Sequence, residues 1–170
     1  MRRLTWKRSL LIGMLLLVMS LFIADTLAPL NLSKLSDGVT VVSDNKGRPL
    51  RAFANQDGIW RYRVNVDSVS PYYLQALFTY EDRHFYQHPG VNPFAMIRAV
   101  GQAIYHGKAV SGGSTITMQV ARLLHPNNRT IVGKVTQMLR ALQLEWHFNK
   151  TQILEMYLNI APFGGPIEGI

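Results

Sequence analysis

The sequence predicts a mainly α domain entered through an apolar helix and a small β-rich unit, and three observations carry that expectation. Apolar residues recur with a helical period from residue 70 onward, β-branched and aromatic residues cluster at 39–44 and 59–66, and residues 9–24 hold no charge. No internal repeat or low-complexity linker breaks the later stretch, so it reads as one domain. The expected divisions are a basic tail at 1–8, a transmembrane anchor at 9–30, a β-rich linker at 31–67 and the helical body at 68–170.

The run Ser9 to Ala24 is short for a membrane helix. Sixteen helical residues span roughly 24 Å against a hydrocarbon core of ~30 Å, so a span must borrow Trp6 or the 26–32 flank. Arg2, Arg3, Lys7 and Arg8 precede it, which favours a cytoplasmic N-terminus and a body on the far side of the membrane. A cleaved signal peptide is the competing reading, but Thr26-Leu27-Ala28 is a poor small-x-small site.

Strands are expected at 39–44 and 59–66, around turn signals at Asn45-Lys46-Gly47 and Asp57-Gly58. Alternation of Trp60, Tyr62 and Val64 with Arg61 and Arg63 suggests one buried and one wet face. Ser70-Pro71 then opens a helix with Leu74, Leu77 and Phe78 on one face and Glu81 near its C-terminal end. Asn92-Pro93 opens a second, with Phe94, Ile97, Ala99, Val100 and Ile104 inward and a stop before Gly107. Ser114 is placed as the cap of a third, which runs to Leu124 before His125-Pro126. Thr130 starts the longest, with Val135, Met138, Leu139, Leu142 and Trp146 as its apolar set. Asn149 caps the last, with Ile153, Leu154, Tyr157 and Leu158.

Charge and composition narrow the function. The formal charge is +8, but four of the 18 Lys and Arg lie in residues 1–8, leaving 14 against 10 acids in the remainder. That modest excess suits an anionic partner or membrane surface. With no zinc finger, RNP-like aromatic run or basic stripe, nucleic acid is set aside. The chain has no cysteine, which excludes disulfides, thiolate metal sites and cysteine nucleophiles.

Chemistry concentrates in two runs. Glu81-Asp82-Arg83-His84-Phe85-Tyr86-Gln87-His88-Pro89-Gly90 puts two carboxylates, two imidazoles and a guanidinium at a predicted helix end. A carboxylate at a helix C-terminus, shielded by aromatics, is made more basic by dipole and desolvation, so Glu81 is the natural general base. Taken alone, the acidic pair equally well solvates a helix end. His84 and His88 have a zinc-compatible spacing if helical, but Pro89-Gly90 argues against a helix there.

The second run, Gly112-Gly113-Ser114-Thr115-Ile116-Thr117-Met118-Gln119, has the form of an irregular loop delivering N–H groups and hydroxyls to a helix start, which suits phosphate. Its plain reading is an N-cap. Arg122, Arg129 and Lys134 follow within a few turns, and by themselves they are a solvated basic face.

In order and spacing these runs resemble the motifs of the family 51 glycosyltransferases, the peptidoglycan-polymerising module of class A penicillin-binding proteins and monofunctional transglycosylases. The first motif, Glu-Asp-x-x-Phe-x-x-His-x-Gly, is matched at Glu81, Asp82, Phe85, His88 and Gly90. The second, usually Gly-Gly-Ser-Thr-Ile-Thr-Gln-Gln, has Met118 for the first Gln and keeps Gln119. This variant, with Asp57-Gly58-Ile59-Trp60-Arg61-Tyr62 upstream, looks like the 1C branch. The third, Arg-Lys-x-x-Glu, keeps only Lys134, and Gln137 stands in the glutamate's place. A fourth is matched at Lys150, Ile153, Leu154, Tyr157, Leu158 and Asn159 and looks structural.

The resemblance implies a lysozyme-like glycosyltransferase domain that joins lipid II units into glycan strands. Glu81 would be the catalytic base, with Asp82, Phe85, His88, Ser114, Thr115, Gln119, Arg122, Arg129, Lys134 and Gln137 binding substrate and its pyrophosphate. A divalent cation, Mg or Mn, is a candidate cofactor. The implied partners are lipid II, the growing glycan strand, the inner membrane and other cell-wall synthesis proteins, with the catalytic domain on the periplasmic side. The resemblance also implies a domain that continues past residue 170. Two rivals stay open: a lysozyme-like peptidoglycan hydrolase and a non-catalytic, lipid II-binding membrane protein.

Overall fold

Asn92, Thr130 and Asn149 each end an extended stretch and turn a side-chain oxygen onto the first N–H groups of a helix. Asn92 Oδ1 accepts from Ala95 N at 3.0 Å and Thr130 Oγ1 from Gly133 N at 3.0 Å. Asn149 Oδ1 accepts from Gln152 N at 2.9 Å while Gln152 Oε1 accepts from Asn149 N at 2.9 Å, a reciprocal cap. The computed structural model of the chain describes residues 12–15, 19, 22–23, 25–108 and 112–170.

Two units result, residues 1–30 and 31–170. In the first, the described residues 12–15, 19, 22–23 and 25–27 are helical, with Thr26 Oγ1 donating to Ile23 O at 2.8 Å. Among the described residues no helix is long and apolar enough to cross a membrane. Much of the anchor expected at 9–30, and all of the basic tail at 1–8, lies outside them.

The second unit contains α1 (Ser33–Ser36), β1 (Thr40–Ser43), β2 (Pro49–Phe53), β3 (Trp60–Arg61), α2 (Pro71–Glu81), α3 (Pro93–His106), α4 (Ile116–Leu124), α5 (Ile131–His147), α6 (Lys150–Ile160), β4 (Pro162–Gly164) and β5 (Ile167–Glu168). The class is mainly α. β1 and β2 form an antiparallel hairpin pairing Thr40 with Phe53 and Val42 with Arg51. The expected turn between them is built by Asp44, whose Oδ1 accepts from Lys46 N and Arg48 N at 2.9 Å, and by Gly47 at φ 76°.

The rest of the segment expected as a linker is tied into the body. β3 runs parallel to β5, pairing Arg61 with Glu168, and β4 closes the sheet antiparallel to β5. Asn159 of α6 completes the seam: its Oδ1 accepts from Val64 N and its Nδ2 donates to Val64 O, both at 2.9 Å.

Arg61 corrects the expected wet face. It is 2% exposed, whereas Tyr62 is 47% exposed. Its guanidinium donates to Lys34 O at 2.7 Å, to Asp37 O, and to Glu168 Oε2. An arginine can be buried when its rigid fork of donors is satisfied in this way, and alternation alone does not reveal that.

The core lies where α4, α5 and α6 meet. Ile116, Met118 and Val120 of α4, Ala141 and Leu144 of α5, and Ile153, Leu154 and Ile160 of α6 are fully buried. Two expected apolar faces point outward instead. Phe94, Ile97, Val100 and Ile104 of α3 are 58–84% exposed, and the body meets the Met96 and Ala99 side of that helix, where Gly113 lies close to Met96 Cα. On α5 the buried positions are Gly133, Gln137, Ala141 and Leu144, while Val135, Leu139, Leu142 and Trp146 are exposed. Small residues decide this face. A Cβ on Gly133 would lie 2.1 Å from Asn128 O, so only glycine lets the turn before α5 fold back onto it.

Candidate active site

The helix α2 ends at Glu81, and Asp82 leaves helical geometry at φ −159°, ψ 79°. Two consecutive carboxylates are thereby sent in opposite directions. Glu81 is exposed, and its Oε2 accepts from Gln119 Nε2 at 2.8 Å. Asp82 is 7% exposed and turns inward. Its Oδ2 accepts from Ile116 N, the first residue of α4, at 3.0 Å and lies 3.0 Å from His88 Nε2.

His88 is also buried, and its Nδ1 has no hydrogen-bond partner among the described residues. The Asp82 carboxylate can only accept, so Nε2 carries the N–H that faces it. Phe85 is 1% exposed beneath this pair, with Phe78 and Tyr86 rings at 5.8 and 5.0 Å and the Lys150 ammonium 4.5 Å from its centroid.

Thr115, not Ser114, caps α4. Its Oγ1 accepts from Met118 N at 3.1 Å and donates to Gly90 O at 2.5 Å. The two motif runs are therefore stitched together by Asp82 to Ile116 N, Thr115 to Gly90 O and Gln119 to Glu81. Ser114 is free of the capping task and accepts from Lys134 Nζ at 2.6 Å. Lys134 Nζ also donates to Gln137 Oε1 at 3.2 Å, and Gln137 Nε2 donates to Met118 O at 2.6 Å. Burial, and then the nearby Arg122 charge, pull the Lys134 ammonium below the ordinary lysine range.

Of the predicted set, Glu81 and Gln119 form one group, Asp82, Phe85, His88 and Thr115 a second, and Ser114, Lys134, Gln137 and Arg122 a third. Arg129 is exposed in the turn ahead of α5 and is joined to none of them by a contact among the described residues.

Sequence reasoning missed two features. Tyr157, read as structural, is pushed up to about 12, by burial first and then by the charges of Glu81 and Tyr73, which places both near Glu81. Glu145 was also passed over: its Oε1 accepts from Thr117 Oγ1 and from Lys150 Nζ, each at 2.6 Å. The i, i+5 spacing of Glu145 and Lys150 across the break between α5 and α6 was the available signal.

A family model described as Transglycosylase matches residues 46–170. The chain belongs to the transglycosylase family. It is 54% identical over 155 residues to penicillin-binding protein 1C of Escherichia coli (strain K12), covering 91% of this chain and 20% of that protein. It is 40% identical over 111 residues to a biosynthetic peptidoglycan transglycosylase of Alcanivorax borkumensis, covering 65% of the chain and 44% of the relative. Penicillin-binding protein 1B of Haemophilus influenzae is 36% identical over 132 residues, 75% of the chain and 17% of the relative. The chain thus spans about a fifth of the penicillin-binding proteins it matches.

Proposed function

We propose that this transglycosylase chain carries a lysozyme-like peptidoglycan glycosyltransferase that polymerises lipid II. The acceptor 4-hydroxyl oxygen attacks C1 of the lipid-linked donor with inversion. The C1–O bond to the diphosphate breaks, undecaprenyl pyrophosphate leaves with the electron pair, and the hydroxyl proton passes to Glu81.

The observation that carries this reading is the outward Glu81 carboxylate at the end of α2, held by Gln119 of α4, while Ser114 just ahead of that same helix holds Lys134. A base for the acceptor and cations for the leaving group are the two requirements of the reaction, and both are held by hydrogen bonds from α4 and the loop that enters it. Arg122 and Lys134 receive the diphosphate, with Arg129 added as it docks. Asp82, Phe85, His88 and Thr115 act from beneath, holding the base and the loop in register.

Among the described residues no cluster of carboxylates and imidazoles fits a resident divalent cation. Asp82 is committed to His88 and Ile116 N, and the groups around Ser114 are cationic or neutral, a poor donor set for Mg or Mn. A hydrolase is disfavoured on the same ground: retaining and inverting hydrolysis both use a second carboxylate, and here one is turned inward and position 137 is an amide. Attachment to the inner membrane, with the body on the periplasmic side, is supported by the basic, apolar N-terminus.

The test is polymerisation of labelled lipid II in detergent by the chain and its Glu81→Gln variant. Base catalysis contributes ~10²–10⁴-fold, so the variant should lose at least that much. Equal turnover refutes the role of Glu81, and lipid II binding without glycan formation in the parent replaces the enzyme with a binding module.

A further inference from the structure

Gln137 was grouped with the substrate-binding residues, but its position suits a different task. It is 5% exposed on the buried face of α5 and does not reach the surface. Its two amide atoms meet opposite demands. Lys134 Nζ can only donate and Met118 O can only accept, so the carboxamide orientation is fixed by its partners. Oε1 holds the ammonium at 3.2 Å, Nε2 grips α4 at 2.6 Å, and Lys134 spans on to Ser114 Oγ at 2.6 Å.

We infer that Gln137 is the positioning residue for Lys134: a neutral clamp that holds the ammonium against Ser114 without cancelling the charge offered to a diphosphate. This deepens the functional reading above and rests on it for the ligand. The side chain chosen matters physically. An ionised glutamate in the same volume would accept from Lys134 but would aim an oxygen at Met118 O with nothing to donate. It would also pair with the lysine charge, leaving less for an anionic ligand. A methionine of similar length would satisfy neither partner. Only a group with one acceptor and one donor, and no net charge, meets both contacts.

The lowered proton affinity of Lys134 agrees with this, since burial and Arg122 oppose its charge while the partners holding it, Ser114 and Gln137, are neutral. Arg122, on α4, is the charged neighbour that opposes the Lys134 charge.

The experiment compares the chain with Gln137→Glu and Gln137→Met by two independent readouts. In the first, the Lys134 ammonium is followed by NMR in lysine-labelled protein, with Lys134→Arg giving the assignment. Gln137→Glu should raise its titration midpoint by about one pH unit, the shift a carboxylate at this range produces. Gln137→Met should speed hydrogen exchange of the ammonium several-fold, because the clamp is gone. In the second, lipid II polymerisation by Gln137→Glu should show KM raised about tenfold with a smaller change in kcat.

Unchanged Lys134 behaviour in both variants overturns the inference, even if turnover falls. If the Lys134 changes appear but the parent makes no glycan, the clamp stands and the glycosyltransferase reading falls. If the parent polymerises lipid II and Gln137→Glu retains the parental KM, the claim that the neutral amide preserves charge for the diphosphate is overturned.

Discussion

Gly90→Ala separates two costs that usually travel together. Gly90 sits at φ +85°, and a Cβ there would lie 2.8 Å from Glu145 Cγ and 2.9 Å from Ala141 O. Left-handed backbone costs a residue with a Cβ about 1 kcal/mol. The overlap adds about 1–3 kcal/mol, because Ala141 O belongs to α5 and Glu145 is held by Thr117 and Lys150. Gly58 is the control: its φ is +75°, with nothing within 4 Å of its missing Cβ. Gly58→Ala should therefore lose about 1 kcal/mol and Gly90→Ala about 2–4 kcal/mol in urea denaturation. Gly90 O also accepts from Thr115 Oγ1, so displacing it loosens the cap of α4 and should lower glycan synthesis as well. If Gly90→Ala costs no more than Gly58→Ala, the tight seat of this loop between α4 and α5 is refuted.

Arg61→Met should destabilise the fold by about 3 kcal/mol in urea denaturation, since it strips a buried cation from Glu168 and from two backbone carbonyls; a loss under about 1 kcal/mol would show that the network is replaceable. Burial alone would raise Glu168, but hydrogen bonds and charges from Arg61 and Lys34 outweigh it and hold the carboxyl below its ordinary 4.5. A depressed carboxyl contributes stability above pH 4.5 that is lost as pH falls through its folded value, so Glu168→Gln should flatten the acid limb of a Tm-against-pH curve. Tyr157 has the opposite sign: raised from 10.0 to about 12, it contributes stability below pH 10 that is lost as pH climbs toward 12, and Tyr157→Phe should unfold less steeply over that window.

Three helix starts were legible because each is written in a few adjacent residues, whereas the cap of α4 fell one residue later than expected and Ser70 makes no side-chain cap bond. Asn92-Pro93, Thr130 and Asn149 cap as expected, since a side chain bonding two or three residues ahead depends on little else. Which helix face is buried was less legible. The outward Phe94–Ile104 stripe of α3 and the inward Gly133, Gln137, Ala141 and Leu144 line of α5 reverse the hydrophobicity rule. Close approach decided these faces through Gly90, Gly113 and Gly133, and close approach is a property of two segments that no single window contains. Arg61 is the same case in polar form: its partners Lys34, Asp37 and Glu168 lie up to 107 residues away.

The site was legible as a set of residues and much less so as a division of labour. Motif spacing put Glu81, Asp82, Ser114, Thr115, Gln119 and Lys134 together, but equal weight on each hides the hierarchy that the contacts reveal. α2 stops between Glu81 and Asp82, so one carboxylate faces solvent and the other faces Ile116 N. Ser114 and Thr115 divide in the same way, one holding Lys134 and the other capping α4. In both pairs one member is buried and its neighbour less so, and the buried member fixes the start of α4: Asp82 through Ile116 N and Thr115 through Met118 N. A substitution at an inward member should therefore reach chemistry only by moving its neighbour, appearing in stability together with activity. One at Glu81 or Lys134 should change activity and leave stability nearly unchanged, because an exposed carboxylate and a half-buried ammonium contribute little to the fold.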